Sequence, residues 1–466
     1  MGPACWRGCG VVFAGWLAGC GDATPGVPEF ADPPRNVLIT LIDAWAAGHL
    51  AAYGYERETM PFFERIAGES VLFEDASSAA AYTLASVASL MTGSTTEVHG
   101  VASPGQVLPD SMPVMAEIFR NDGFETHGVS TNAHIIGSFG FDRGFDEYHY
   151  VPVALSKGGS MQVPKTVLDG MQRFLGTKRT KPFFAYWHLL PPHAPYDPPE
   201  PFAQTFAGYL EDTKLSRKMW ERSGRRDFLS YKPNEIQGLS DLYDSTLRYV
   251  DTVLEDIYQG LEANGLLDET LWILLSDHGE AFGQHQTMQH SSVVYQELVH
   301  VPLTMRFPGG EGRRIESAVS LVDLFPTLVD LYDLDAPESP SGFSLRPLLE
   351  GRSFERPAGL FLNSTRQGNQ VGLRSGSWKL IHNRKSKIYK LFDLSEDPGE
   401  QMPQRGEARD VYVSLREELD LRAAHWEAVA SGQRVDLAPE IEEQLRAIGY
   451  IDELLPESTG SASEEP

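Results

Sequence analysis

Beyond residue 20 the sequence has no cysteine: Cys5, Cys9 and Cys20 are the only three among 466 residues. This excludes disulfides, thiolate nucleophiles and thiolate metal ligands from everything downstream, so a nucleophile there is oxygen or nitrogen. Positive charge is scarce as well. Lys and Arg number 39 against 65 Asp and Glu, a formal net charge of −26, which repels a polyanionic backbone and argues against nucleic acid as a partner. No apolar run approaches the ~20 residues of a membrane-spanning helix. Nor is the composition that of a disordered chain: 41% is hydrophobic and 22% charged, enough to bury a large core.

The N-terminus carries an export pattern. Arg7, an apolar run over residues 11–17 and Leu17-Ala18-Gly19-Cys20 read as a lipoprotein signal, with residues 1–19 as leader and lipid added to the Cys20 thiol. The mature chain is then expected in the cell envelope, anchored to a membrane through Cys20. Residues 20–34, with Pro25, Pro28, Pro33 and Pro34, read as a tether.

Residues 36–42 (NVLITLI) form an unbroken apolar run, the pattern of a strand buried on both faces, and similar runs recur at 182–190, 271–275 and 302–307. Helical patterns separate them, the longest over 240–263 with apolar spacings of three and four. This alternation predicts an α/β fold, a mostly parallel mixed sheet sandwiched by helices, over 35–345. Short strands near 359–362, 371–382 and 388–394 and a helix at 410–430 predict a small antiparallel subdomain over 346–455, followed by an acidic tail, 456–466.

In parallel sheets ligands bind beyond the carboxyl ends of strands. Asp43 ends the first apolar run and Ser276-Asp277-His278-Gly279-Glu280 follows the LWILL run, so two carboxylates and an imidazole can converge on one cation. Asp43 alone could equally cap a turn. Thr83 opens a helix pattern that stops at Gly93; it reads as an N-cap, or as a nucleophile whose alkoxide a cation and the helix dipole would favour. His193 sits in a proline-rich loop, where a lone histidine is ordinarily solvated.

Together these segments are recognisable. Residues 35–452 resemble the sulfatase family of the alkaline phosphatase superfamily: Asp43 after its strand, TLASVASLMTG at 83–93, GFDRGFDEY at 140–148, PHAPYDPP at 192–199, SDHGE at 276–280, His290 before YQELVHVPL, SLVDLFPTL at 320–328 and LFDLSEDPGE at 391–400. The resemblance implies that Asp43, Thr83, Asp277 and His278 surround a metal ion, that Thr83 is the nucleophile, and that His193 and His290 flank the ester. His285 and Asn132 are implied as substrate contacts.

Departures from the family pattern bear on subtype. The CxPxR or SxPxR element that is oxidised to formylglycine reads Thr83-Leu84-Ala85-Ser86-Val87, so a direct threonine nucleophile is implied. Val87 replaces the arginine, and the lysine of the GKWH element has no counterpart in residues 130–133. A histidine where calcium-dependent members carry an amide favours one zinc or manganese ion over calcium. The resulting expectation is a metal-dependent hydrolase of sulfate or phosphate esters carried by a glycan, lipid or small molecule. Alternatives are a phosphodiesterase, a phosphoglycerol or phosphoethanolamine transferase, and a catalytically degenerate anion-binding lipoprotein.

Overall fold

Apolar runs flanked by polar turns become the central strands of an eight-stranded sheet. The computed structural model describes residues 33–448 apart from 154–159, 211–230, 291, 339–340, 355, 365–369, 407 and 430–433. The expected leader, the expected lipidation site Cys20, nearly all of the expected tether and the acidic tail therefore lie outside the described residues. Among the described residues no helix is long and apolar enough to cross a membrane.

The sheet comprises β1 (Asn36–Ile42), β2 (Val71–Phe73), β3 (Glu125–Ser130), β4 (Glu147–Tyr150), β5 (Phe183–Leu189), β6 (Thr270–Ser276), β7 (Leu303–Arg306) and β8 (Arg313–Ile315), in the order β8-β2-β7-β6-β1-β5-β3-β4. From β6 to β4 the neighbours run parallel. β7 is antiparallel to both β6 and β2. β1, β5 and β6 are buried along their whole length, which is why they read as continuous rather than alternating apolar runs.

Helices cover both faces. On one side, α1 (Thr83–Thr92) and α4 (Leu324–Tyr332) pack over Val37, Ile39, Leu41, Ile273 and Leu275. On the other, α2 (Lys165–Gly176) and α3 (Pro233–Ala263) pack over Leu38, Ile42, Trp187, Trp272 and Leu274. α3 begins seven residues before the expected Ser240. Pro233 is its first residue and Glu235 caps the Lys232 N–H at 2.8 Å; this first turn is half-exposed, so apolar periodicity does not mark it.

A second, antiparallel sheet of β9 (Leu360–Asn363), β10 (Gln370–Ser375), β11 (Trp378–Asn383) and β12 (Ile388–Asp393) packs under α5 (Arg409–Val429). It is joined directly to the main body: Asn363 exchanges backbone hydrogen bonds of 3.1 Å with Ala79 and Ala81, just before α1. Leu445 and Ile448, after α5, return to the main core beside α1 and α4.

Candidate functional site

Three strand ends meet at one point. β1 lies between β5 and β6, with Leu41 opposite His188 and Ile42 opposite Ser276, so Asp43, His188, Asp277 and His278 emerge together. The turn after β1 is tied to the loop after β6. Ala44, at φ 53°, donates its N–H to Asp277 Oδ1 at 3.1 Å, and the Trp45 N–H reaches Ser276 Oγ at 2.8 Å. α1 is tied to the same loop by Ser86, whose hydroxyl donates to the Asp277 carbonyl at 2.6 Å.

Thr83 is the first residue of α1, one position inside the expected cap. Tyr82, with extended backbone at φ −160° and ψ 130°, occupies the N-cap position. The Thr83 hydroxyl instead faces His278, Oγ1 to Nε2 at 3.0 Å. His278 Nδ1 lies 2.9 Å from the Gly279 carbonyl, an acceptor only, so the ring proton sits on Nδ1 and the Nε2 lone pair faces the cluster. Asp277 Oδ2 is 3.5 Å and Asp43 Oδ1 3.9 Å from that nitrogen.

Hydrogen bonds select which oxygen of each carboxylate faces inward. Asp43 Oδ2 accepts from Asn132 Nδ2 at 2.5 Å and His188 Nε2 at 3.0 Å. Asp277 Oδ1 accepts the N–H of Ala44 and, at 2.9 Å, that of His278. Their other oxygens, Asp43 Oδ1 and Asp277 Oδ2, are buried with no hydrogen-bond partner among the described residues. Orphaned buried carboxylate oxygens are costly, and these two point at one imidazole lone pair. Burial, followed by the Asp277 carboxylate, pushes the Asp43 pKa well above the usual range, while His278 and the Asn132 amide oppose it. Thr83 Oγ1, Asp43 Oδ1 and Asp277 Oδ2 lie 3.0 to 3.9 Å from His278 Nε2, close to the ~3.4 Å between ligands of a tetrahedral ion with bonds of ~2.1 Å. Asp43, Asp277 and His188 also bring ligand atoms close enough together for one ion.

His290 is also at the site. Its ring lies 4.2 Å from that of His278 and 4.8 Å from that of His193, centroid to centroid. Glu280 Oε1 accepts from His290 Nδ1 at 3.0 Å. His193 is fully buried rather than solvated, with Nδ1 donating to the Ala194 carbonyl at 2.6 Å. The structure thus gathers Asp43, Thr83, Asp277, His278, His290 and His193.

Two expected substrate contacts are placed differently. Asn132 donates to Asp43, its orientation fixed because Oδ1 accepts the His134 N–H at 2.8 Å. His285 stacks on Tyr295 at 3.7 Å and bonds Glu297 and the Glu400 carbonyl, at the seam with the second sheet. Sequence reasoning missed His188 and Glu280. An imidazole inside an otherwise apolar strand was the signal for His188, because such a group needs a buried partner. For Glu280 the motif was visible but its pairing ten residues onward was not.

A second cluster, His127 on β3 with Glu147 and His149 on β4, also brings potential ligand atoms together. The Trp187 indole N–H, a donor only, lies 3.2 Å from His127 Nδ1. Neutral His127 therefore carries its proton on Nε2 and has no lone pair left for a metal.

This architecture is that of a crystallised group of ester hydrolases and sulfatases. It matches the phosphonate monoester hydrolase of Agrobacterium radiobacter (TM-score 0.68, 22% identity, 84% of this chain and 96% of that one). It equally matches a protein solved with its substrate D-glucosamine-2-N,6-O-disulfate (TM-score 0.68, 19% identity, 85% and 98%). The sulfatase family model matches residues 35–334, more than half of the chain, and the protein belongs to the sulfatase family. The model for the N-sulphoglucosamine sulphohydrolase C-terminal region matches residues 283–424. Among curated relatives, mouse (Mus musculus) arylsulfatase K is 34% identical over 202 residues; that alignment covers 41% of this chain and 36% of the mouse protein.

Proposed function

We propose that the protein is a sulfuric ester hydrolase that uses Thr83 as nucleophile and one zinc or manganese ion, acting on a sulfated glycan. The carrying observation is the placement of Thr83 Oγ1 at 3.0 Å from His278 Nε2, beside the orphaned oxygens of Asp43 and Asp277. The relatives support the sulfate ester, and the disulfated glucosamine bound by a structural neighbour supports a sugar as its carrier.

Asp43, Asp277, His278 and Thr83 would hold the ion. When bound, it supplies electrostatic stabilisation of negative charge at the reacting centre. Thr83, its hydroxyl proton released to solvent, attacks sulfur in line: the Oγ1–S bond forms, the bond from sulfur to the sugar oxygen breaks, and that oxygen takes a proton from imidazolium. The N-terminus of the ten-residue α1 favours the anionic form of Oγ1. His290, oriented by Glu280, is the proton donor, and His193 supports the leaving oxygen from the other side. Water then attacks sulfur, Thr83 leaves, and neutral His290 accepts the water's proton.

The test is turnover of aryl sulfate, phosphate monoester and phosphodiester substrates by purified protein and by Thr83→Ala, with peptide mass spectrometry for an ester trapped on Thr83. Sulfate turnover lost in the variant, with a Thr83 adduct in the parent, supports the reading. Preference for a phosphodiester would move the substrate to that class, and anion binding without turnover would favour a degenerate member. Lipid anchoring through Cys20, with export to the cell envelope, remains part of the proposal on the leader pattern alone.

A further inference from the structure

Asp43 is held at Oδ2 by two side chains, Asn132 and His188, the second of which also has a ring nitrogen within reach of an ion shared with Asp43 and Asp277. His188 is fully buried, between Asp43 Oδ2 at 3.0 Å from its Nε2 and the Tyr186 hydroxyl at 3.0 Å from its Nδ1. A carboxylate only accepts, so Nε2 carries the ring proton and Nδ1 receives the proton of the Tyr186 hydroxyl. Direction thus runs one way, from Tyr186 through His188 to Asp43. Asn132 adds its own N–H to the same oxygen at 2.5 Å, locked by the His134 backbone. Both hydrogen bonds fall on Oδ2, and Oδ1 stays bare.

We infer that His188 and Asn132 are positioning residues that confine Asp43 to a single donor oxygen and thereby set the choice of metal. Calcium takes six to eight oxygens and uses carboxylates in pairs of oxygens as readily as singly. Occupying Oδ2 removes that mode at Asp43. Asp277 is confined in the same way by the Ala44 and His278 N–H groups, and His278 offers one nitrogen. With the Thr83 hydroxyl, the chain presents four single donors, a set matched to a small ion that accepts nitrogen. The inference rests on the cation site proposed above and concerns how that site discriminates between ions.

The test measures binding without turnover. Parent, His188→Phe, His188→Gln and Asn132→Leu are stripped with chelator, and zinc and calcium affinities are measured by titration calorimetry, with the visible spectrum of the cobalt(II)-loaded forms. Metal-free melting points control for folding. His188→Phe and Asn132→Leu should each bind zinc about 10- to 100-fold more weakly. Zinc-over-calcium preference should narrow, and the intense cobalt absorption of a four-coordinate site should weaken. His188→Gln, which can still donate to Oδ2, should recover much of the loss. Parent-like zinc and calcium affinities and an unchanged cobalt spectrum in both variants would overturn the inference. If His188→Phe does not fold, Tyr186→Phe removes the hydroxyl that fixes the ring while keeping its packing, and the same readouts decide. Asp277→Asn tells the two failures apart: if it binds metal like the parent, the cation site itself is wrong.

Discussion

Among the described residues, two clusters of histidine and carboxylate lie on one sheet, and they differ in what surrounds them. At the ends of β1, β5 and β6 every donor is buried, and Asp43 and Asp277 each have one oxygen tied to protein and one with no hydrogen-bond partner among the described residues. On β3 and β4, the Glu147 and His149 side chains are 71% and 58% exposed, and the inner histidine is already spent on Trp187. Proximity of ligand atoms is common to both. What separates them is whether the remaining hydrogen bonds leave lone pairs converging on a point, because solvated groups satisfy themselves with water and gain little from an ion.

That contrast can be broken most severely at Thr83. Thr83→Ala should lose on the order of 10⁴-fold in kcat/KM, read by steady-state hydrolysis of an aryl sulfate. Asp277→Asn should follow, with kcat/KM down about 10³-fold and bound metal lost by elemental analysis. Glu280→Gln should cost about 10²-fold on a sugar sulfate and much less on an aryl sulfate whose leaving oxygen needs no proton; equal losses on both would remove His290 from the acid role.

Smaller effects sharpen the other side. Burial lowers the pKa of both His99 and His127 from 6.5 to about 3. Below pH 6.5 the unfolded chain takes up protons that the folded chain refuses, so stability is complete above 6.5 and falls as the pH drops toward 3. His127→Gln should flatten that slope in urea unfolding followed across pH. Smallest of all, His149→Ala and Glu147→Gln should leave metal content unchanged and activity within about twofold of the parent.

Much of this was legible in the sequence for a physical reason: strands buried on both faces are written as unbroken apolar runs, and Asp43 and SDHGE stand at their ends. Thr83 was placed one position too far out because cap preference ranks threonine above tyrosine, whereas the backbone extends at Tyr82. The His193 loop reads as solvated until the other loops close over it. The resemblance implied Asn132 as a substrate contact, and local sequence does not reveal that its amide meets Asp43. His188 vanished into its strand, since apolar averaging over PFFAYWHLL hides one imidazole. None of the cross-strand pairings that orient the carboxylates has a signature in local spacing.

The backbone exchange between Asn363 and the Ala79–Ala81 stretch has a practical consequence for anyone trimming the gene. A fragment ending near residue 345 would expose an unpaired edge immediately upstream of the helix that Thr83 opens and remove the strap that fixes where that helix starts. The smaller sheet is therefore better regarded as an integral support of the main body than as a detachable appendage.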